Sequence, residues 1–249
     1  MNKATAIIGV SLVLILAIIS GCQGSSEADL SMFDEDYITY EVDPKKQMLK
    51  MYWKNSANEN FANAKNLKKH LENNGEKLIF AVNGGMYNKE QEPQGLYIEN
   101  GVVLSNLDTN STGYGNFYLQ PNGVFFLTDD KKAFISTTNN FAHSKNISFA
   151  TQSGPMLLVD GAYNPLFGQN STNLNIRNGV GILPNGHPFF VQSVNEVNLY
   201  EFAKVFKDSG CENVLYLDGY VSKTYLPEKK WEQLDGDFAV IIAVSNESF

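Results

Sequence analysis

The sequence predicts an α+β fold, in which mixed, largely antiparallel sheets and a few packed helices form a single domain. Three observations predict it. Many short segments alternate apolar with polar residues, tight Asn-Gly turns join some of them, and only two segments show a helical period. Strands and helices do not alternate regularly, as they would in a parallel sheet with crossover helices.

The first half of the chain predicts strands on both sides of one helix. An amphipathic helix is predicted over residues 60–75, which end at Gly75, a typical residue after a helix. Strands are predicted before and after it, at 37–42, 48–53 and 77–82. Two hairpins follow, over 95–104 with a turn at 99–101 and over 116–127 with a turn at 121–123.

The second half of the chain continues the same pattern. A second helix is predicted over residues 198–209, just before Gly210. Strands are predicted around 156–159, 179–183, 189–193, 213–217 and 238–244. The last two of these segments are almost wholly apolar, which indicates central strands with both faces buried.

Length and charge restrict the function. The chain has 249 residues, of which 43% are hydrophobic, and it carries a net charge of -8 with a sequence pI of about 4.9. This composition suits one globular domain, and the acidity gives no basis for non-specific nucleic-acid binding. An anionic substrate therefore requires a local cationic site.

The N-terminus is typical of an exported lipoprotein. Residues 1–22 combine Lys3, an apolar run and small residues before Cys22, which stands where lipoprotein signal peptides are cleaved and the cysteine is acylated. The apolar run is near the length of a membrane span, so an uncleaved anchor is the alternative. Both arrangements place the protein outside the cytoplasm, and we expect a lipid anchor on a bacterial membrane through Cys22.

The rest of the chain predicts a tether and one domain. Residues 23–36 are polar and acidic and predict a flexible tether, and residues 37–249 predict the folded domain. If Cys22 carries lipid, Cys211 is left alone, so no disulfide is expected. His70, His143 and His187 are scattered without metal-ligand spacing, and we expect neither a metal nor another cofactor.

Two motifs at predicted strand ends contain small polar residues and glycines. In AVNGGMYN, Asn83, Gly84 and Gly85 leave a buried strand, and they form either a hairpin turn or a cradle of backbone N–H groups for a ligand. In ATQSGPMLLVDG, Ser153 and Gly154 separate two extended stretches. Ser153 is either a turn residue or a hydroxyl donor to a bound anion.

Two further motifs supply charged residues. NIRNGVG contains Arg177, the only arginine of the sequence, whose planar fork suits phosphate or carboxylate, although a surface ion pair is the alternative. NVLYLDGYVS carries an apolar strand directly into Asp218. Asp218 is either a carboxylate that the strand holds in a cleft or an Asx-type cap of the next residues.

The motifs NGGMY, QSGPMLL, RNGVG, FKDSGC and NVLYLDG occur in this order, and together they resemble the catalytic domain of the phosphodiester glycosidases. The resemblance spans residues 37–244. That family includes the enzyme that uncovers mannose 6-phosphate and bacterial secreted or lipid-anchored relatives. Many relatives carry Asp-Gly-Gly-Gly-Ser where this chain has Asp218-Gly219-Tyr220-Val221-Ser222, and we interpret the two replaced glycines as a change of specificity.

The resemblance implies an extracytoplasmic hydrolase that breaks the C–O bond of a sugar-1-phosphodiester in envelope or exopolysaccharide phosphoglycans. The implied catalytic residues are Asp218 as base, nucleophile or oxocarbenium stabiliser, Arg177 as the cation for the departing phosphate, and Asn83 as a group that orients substrate. The implied substrate-binding residues are Gly84, Gly85, Tyr87, Ser153, Gly154, Gly219, Tyr220 and Ser222. The second pKa of a phosphate monoester is about 6, so it leaves as an anion and needs little general acid.

Two rival classes remain open from the residues alone. The domain could bind phosphoglycans without turnover, through the same arginine and glycine loops. It could also hydrolyse P–O bonds, although most such enzymes hold two metals with clustered His and Asp ligands. The scattered histidines argue against that chemistry.

Overall fold

A computed structural model describes residues 35–219 and 221–247. The predicted signal peptide with Cys22, most of the predicted tether, and Tyr220 lie outside the described residues.

The α-helices are α1 (Ala64–Asn73) and α2 (Leu199–Asp208). The strands in chain order are β1 (Tyr37–Glu41), β2 (Met48–Tyr52), β3 (Glu76–Asn83), β4 (Tyr97–Glu99), β5 (Val102–Ser105), β6 (Gly123–Thr128), β7 (Ala133–Thr137), β8 (Ile147–Ser153), β9 (Met156–Val159), β10 (Ala162–Tyr163), β11 (Asn178–Ile182), β12 (Pro188–Ser193), β13 (Val214–Tyr216), β14 (Thr224–Leu226), β15 (Trp231–Glu232) and β16 (Ile241–Glu247).

The strands form three antiparallel sheets. Sheet 1 has the order β1-β12-β11-β13-β9-β10, sheet 2 the order β15-β14-β3-β16-β2, and sheet 3 the order β5-β4-β8-β6-β7. Every strand pair in the described residues is antiparallel. The predicted fold class is corrected accordingly, since the sheets are not mixed and the single domain is richer in strands than a balanced α+β fold.

One apolar core joins the three sheets. Phe190 of sheet 1 lies with its ring centroid 5.2 Å from that of Phe80 of sheet 2 and 5.9 Å from that of Phe125 of sheet 3. All three rings are buried, and each buried phenylalanine contributes about 2 kcal/mol relative to exposure. The core therefore fixes how the ends of the three sheets meet.

The two helices cover the outer faces of sheets 1 and 2. Helix α2 buries Phe202 and Phe206 against sheet 1, where Phe189 lies 5.8 Å from Phe206. Helix α1 buries Leu67 and Leu71 against sheet 2. Both helices were predicted, and each begins after an asparagine whose side chain accepts a backbone N–H of the first turn.

One predicted hairpin is wrong. The hairpin at 95–104 is confirmed as β4 and β5, but residues 116–118 form a 3₁₀ helix, and β6 begins at Gly123. Asn122 is buried, and its Nδ2 donates to Phe117 O at 3.1 Å. Because Asn122 is buried and its amide is bonded within the protein, residues 121–123 do not form a solvent-exposed hairpin turn. Strand β6 pairs with β7 and β8.

Neither α1 nor α2 is long and apolar enough to cross a bilayer.

Candidate active site

The ends of strands from all three sheets meet around Asp218. The backbone N–H of Asp218 donates to Gly84 O at 3.2 Å, which joins the end of β13 to the end of β3. The N–H of Tyr216 donates to Pro155 O at 3.0 Å, which joins β13 to the segment after β8. The structure thus brings together the predicted motifs around Asn83, Ser153 and Asp218.

Asn83 holds this meeting point together. It is fully buried, and its Oδ1 accepts from Asn178 Nδ2 at 2.8 Å and from Lys223 N at 2.9 Å. Its Nδ2 donates to Asp218 O at 3.4 Å. Because the protein uses its amide, Asn83 is placed to position Asp218, whereas the sequence predicted that it orients substrate.

Close packing explains the glycines of the site. A Cβ on Gly85 would lie 2.3 Å from Gln152 O, and one on Gly84 would lie 2.6 Å from Val240 Cγ1. A Cβ on Gly219 would lie 2.1 Å from Tyr216 Oη. The sequence predicted glycines that let a ligand approach, and the structure adds that these glycines let neighbouring strand ends approach each other.

Several hydrogen-bond donors of the site have no partner among the described residues. Ser153 Oγ is fully buried, and no group in the described residues hydrogen-bonds to it. Within the same described ranges, the backbone N–H groups of Gly85 and Gly219 also have no acceptor. Buried donors are nearly always paired in folded proteins, so donors without partners indicate a place where a ligand accepts them.

Ser153 lies on the face of β8 that also carries Thr151, a neighbour of Gly85. Successive side chains of a strand alternate between its faces, so Ser153 shares a face of β8 with Thr151. Thr151 Oγ1 lies 2.4 Å from the position that a Cβ on Gly85 would take. The side chain of Ser153 therefore lies on the same face of β8 as the Thr151 side chain that meets Gly85.

Arg177 is the only arginine of the chain and lies buried behind this cluster, with 2% of its surface exposed. Its Nε donates to Val197 O at 3.2 Å, Nη1 to Tyr216 Oη at 2.8 Å, and Nη2 to Asn173 O at 2.9 Å and Oδ1 at 3.1 Å. These bonds use four of the five guanidinium N–H groups. Arg177 therefore has only its charge and one N–H group left for a ligand, which is too few N–H groups for the predicted bidentate contact.

No acid of the described residues neutralises the charge of Arg177. No carboxylate of the described chain lies within ion-pair distance of its guanidinium. A buried cation without a counter-ion is costly, and removal of water strengthens its attraction for an anion. The surroundings of Arg177 are therefore electrostatically suited to a phosphate.

Tyr216 connects Arg177 to the Asp218 loop. Burial raises the pKa of Tyr216, an effect that Arg177 opposes and Asp218 reinforces, so the phenol stays protonated at neutral pH. Its oxygen accepts from Arg177, and its O–H lies against Gly219. The sequence analysis missed Tyr216, although it stands two residues before Asp218, the spacing that puts side chains on one face of a strand.

The other predicted site residues occupy supporting positions. Ser222 Oγ donates to Ile176 O at 3.2 Å and lies 3.4 Å from Asn178 Oδ1. Tyr87 packs on the apolar core, and its hydroxyl donates to Asp237 O. Gly154 lies against Asn122, where a Cβ would come within 2.6 Å.

Thiol and metal chemistry find little support in the described part of the chain. Burial raises the pKa of Cys211 to about 12, which keeps this thiol protonated and unreactive. Residues 35–219 and 221–247 contain no group of three or more His, Cys, Asp or Glu residues that could hold a metal ion. What the site offers is one buried carboxylate, a buried cation and unpartnered donors.

Solved structures with this arrangement of sheets define the class of fold. The catalytic domain of zebrafish N-acetylglucosamine-1-phosphodiester alpha-N-acetylglucosaminidase superposes with a TM-score of 0.56 at 14% identity, over 84% of this chain and 82% of that one. An exported protein of Burkholderia pseudomallei superposes with a TM-score of 0.54 at 11% identity, over 84% and 73% of the two chains. At these identities the likeness establishes the fold alone.

Sequence comparison establishes the family. A model of the phosphodiester glycosidase family matches residues 76–243, and the chain belongs to that family, as its motifs predicted. The uncharacterized protein YigE of Escherichia coli (strain K12) is 39% identical over 188 residues, which cover 75% of this chain and 73% of that protein. Family membership supports a glycosidase-like function with a sugar phosphodiester as substrate.

Proposed function

We propose that this protein hydrolyses a sugar-1-phosphodiester by breaking the C–O bond at the anomeric carbon. The observation that carries the proposal is a set of donors without a partner among the described residues, namely Ser153 Oγ and the N–H groups of Gly85 and Gly219, on segments that meet the end of β13. Donors already in place for a developing anion are the arrangement that stabilises a departing phosphate. Family membership agrees with this chemistry.

Each part of the site has a role in the proposed reaction. The phosphate leaves with the electron pair of the C–O bond, accepts hydrogen bonds from Ser153 and the glycine N–H groups, and is attracted by Arg177. Water supplies the hydroxyl that the anomeric carbon gains, either directly, with Asp218 taking its proton, or after Asp218 has formed a covalent intermediate. Asn83 and Tyr216 hold the two charged groups in place.

Isotope labelling tests which bond breaks. The full chain in detergent is incubated with an N-acetylglucosamine-1-phosphodiester in H₂¹⁸O, and both products are analysed by mass spectrometry. Label in N-acetylglucosamine and none in the phosphate supports the proposal. Label in the phosphate would indicate P–O cleavage, and saturable binding without product would favour a phosphoglycan-binding protein.

We also propose that the enzyme acts outside the cytoplasm, tethered through Cys22, on envelope or exopolysaccharide phosphoglycans. The support is the N-terminal pattern of Lys3, the apolar run and Cys22. Radiolabelled palmitate incorporation tests the anchor. We expect label in the wild type and none in Cys22→Ser, with Cys211→Ser as the matched cysteine control that keeps the label.

A further inference from the structure

A cleft of about 190 Å³ lies between the edge of sheet 2 and the neighbouring part of sheet 3. Strand β2, the turn after β6 and the start of β8 line it. Its apolar lining includes the buried side chains of Leu49, Leu127 and Phe149, and Lys50 and Lys131 add two cations. A cleft that combines an apolar lining with cations suits a ligand with an anionic group beside apolar carbon.

Lysines are concentrated on the segments that form this cleft. Residues 44–50 and 129–133 together contain Lys45, Lys46, Lys50, Lys131 and Lys132. Lys46 pairs with Asp43 at 3.0 Å, and Lys132 pairs with Asp130 at 2.6 Å. The charges of these two lysines are therefore balanced within the protein.

The other three lysines lack such partners. No acid of the described residues lies within ion-pair distance of Lys45, Lys50 or Lys131. Among the described residues that line the cleft, Asp129 is the one acid. Cations thus outnumber acids here, although the chain as a whole has a net charge of -8. The local excess of positive charge attracts an anionic partner.

Exposed apolar side chains lie beside the lysines. Met48 lines the cleft and is 36% exposed. Gly101 N donates to Ser148 O at 2.8 Å, and Ser148 also lines the cleft, which places the next residue, Val102, close to it. Val102 is 56% exposed. A surface that combines exposed apolar side chains with unpaired lysines is typical of contact with an anionic membrane.

The cleft lies at the opposite end of sheets 2 and 3 from the candidate active site. In sheet 3, Ser148 of the cleft and Ser153 of the site are five residues apart on β8, which is about 17 Å along a strand. In sheet 2, β16 pairs with Asn83 at its start and with Met48 further along. A molecule that contacts a surface through the cleft therefore turns its candidate active site away from that surface.

We propose that this face, formed by the cleft with Lys45, Lys50 and Lys131, docks on a lipid bilayer, and that the cleft binds the headgroup of one anionic phospholipid. Lys50 and Lys131 bind the phosphate, and the apolar lining contacts the carbon atoms next to it. Sites for drug-sized ligands measure about 300–1,000 Å³, so a cleft of about 190 Å³ accepts a headgroup and not a whole lipid. The proposed tether through Cys22 keeps the domain close to a bilayer.

The docked orientation also restricts the substrate, and this step rests on the proposed function. With the lysines on the bilayer, the strand ends around Asp218 lie about 17 Å further from the headgroups than the cleft does. The phosphate of a membrane lipid stays at the level of the headgroups. The orientation therefore favours a phosphoglycan chain that extends away from the membrane over a sugar phosphate that is part of a lipid.

Photoactivatable lipids test the docking. The full chain is reconstituted in vesicles of equal parts phosphatidylcholine and phosphatidylglycerol, and a trace of one of the two lipids carries a diazirine in its headgroup. Mass spectrometry then locates the adducts. We expect adducts within residues 44–50 and 127–149, with the phosphatidylglycerol probe favoured about fivefold or more. Equal labelling by the two probes, or adducts concentrated at residues 81–88 and 150–161, would overturn the proposal.

Matched lysine variants test the cleft itself. Lys50→Gln and Lys131→Gln should each reduce the phosphatidylglycerol adducts about fivefold, because each removes one cation near an anionic surface. Lys50→Arg and Lys131→Arg keep the charge and should retain most of the adducts. Lys65→Gln and Lys69→Gln are the controls, since they remove exposed lysines of α1 outside the cleft. An equal loss in these controls would show that only net charge matters and that the cleft binds no headgroup.

Two further measurements separate this proposal from its rivals. The double variant Lys50→Gln, Lys131→Gln should release sugar from an N-acetylglucosamine-1-phosphodiester in detergent at the wild-type rate. If the wild type releases no sugar but forms the lipid adducts, the proposed function fails and the docking is supported. If it releases sugar but both probes label it equally, only the docking is wrong. An amine-reactive cross-linker that joins two chains through Lys50 or Lys131, without lipid adducts, would assign this face to a second copy and overturn the proposal.

Discussion

Two acids removed from solvent, Asp218 and Glu99, lie in opposite kinds of surroundings. Glu99 accepts from Tyr97 Oη at 2.5 Å, and the backbone N–H of Trp53 also lowers its pKa. Burial raises the pKa of Glu99, while these two hydrogen bonds lower it, and burial together with Glu99 holds the pKa of Tyr97 well above its ordinary value. The donors around Glu99 are thus committed to the acid itself.

The segments that meet at Asp218 contain donors that no described residue uses. Ser153 Oγ and the N–H of Gly85 have no acceptor in the described residues, and Arg177 has no acid partner there. Burial alone therefore does not distinguish a functional acid from a structural one. The difference lies in whether the neighbouring donors and cations are already satisfied, and each of the following changes tests it.

The largest effect is expected from Asp218→Asn. We expect kcat to fall about 1,000-fold, because the amide can neither accept a proton nor stabilise positive charge, while the substrate still binds. Release of free sugar and calorimetric binding measure the two quantities. Asp160→Asn is the matched control, because Asp160 is exposed in a turn with a φ of 48° that asparagine also adopts. Unchanged turnover in Asp218→Asn would remove Asp218 from the reaction.

Ser153→Ala should separate activity from stability. We expect kcat to fall about 100-fold through loss of a donor to the departing phosphate. The free energy of unfolding should stay within about 0.5 kcal/mol of wild type, because no hydrogen bond within the described protein is lost.

Ser209→Ala is the matched control for Ser153→Ala. Ser209 Oγ is buried and donates to Val205 O at 2.8 Å in helix α2. Its loss should lower the free energy of unfolding by about 1 kcal/mol and leave kcat unchanged. A loss of stability in Ser153→Ala equal to that in Ser209→Ala would show that Ser153 is structural.

Asn83→Ala should lower the stability of the fold, and any loss of activity should follow from that loss of stability. The change leaves Asn178 Nδ2 and Lys223 N without their acceptor, and we expect the free energy of unfolding to fall by about 3 kcal/mol. Urea denaturation measures it, and exposed Asn74→Ala is the control. If the losses in the free energy of unfolding from Asn83→Ala and Asn178→Ala simply add up in the double variant, the two side chains do not share a network.

The smallest effect is expected from Glu99→Gln, and it depends on pH. The pKa of Glu99 in the fold is raised above its ordinary value of 4.5, so the folded protein binds the proton more tightly than the unfolded chain. Wild-type stability should therefore fall as pH rises from about 4.5 through the raised pKa, and then level off. Glutamine still accepts from Tyr97, and this variant should lack that fall.

Urea denaturation across this pH interval measures the effect of Glu99→Gln. The stability difference between the variant and the wild type should grow with pH and then stay constant. The kcat should not change, since Glu99 lies outside the candidate site. A parallel pH dependence in the two proteins would show that Glu99 has its ordinary pKa in the fold.

Local sequence patterns predicted most of the elements and the motifs of the site, but not their contacts. The predicted segments that became β1, β2, β3, β11 and β12 alternate or are apolar throughout, and these patterns are local. Strand β8 was missed because its last three residues, Thr151, Gln152 and Ser153, are polar and yet buried. Their burial depends on neighbours that are distant in the chain.

The sequence by itself determined the family, the order of the motifs and the position of Asp218 at the end of an apolar strand. Only the tertiary structure decided that Asn83 donates to Asp218 O across 135 residues. It also decided that protein atoms use most donors of Arg177, and that no described residue uses the hydroxyl of Ser153. The physical reason is that strand formation follows local side-chain pattern, whereas hydrogen-bond satisfaction depends on which strand ends the common core brings together.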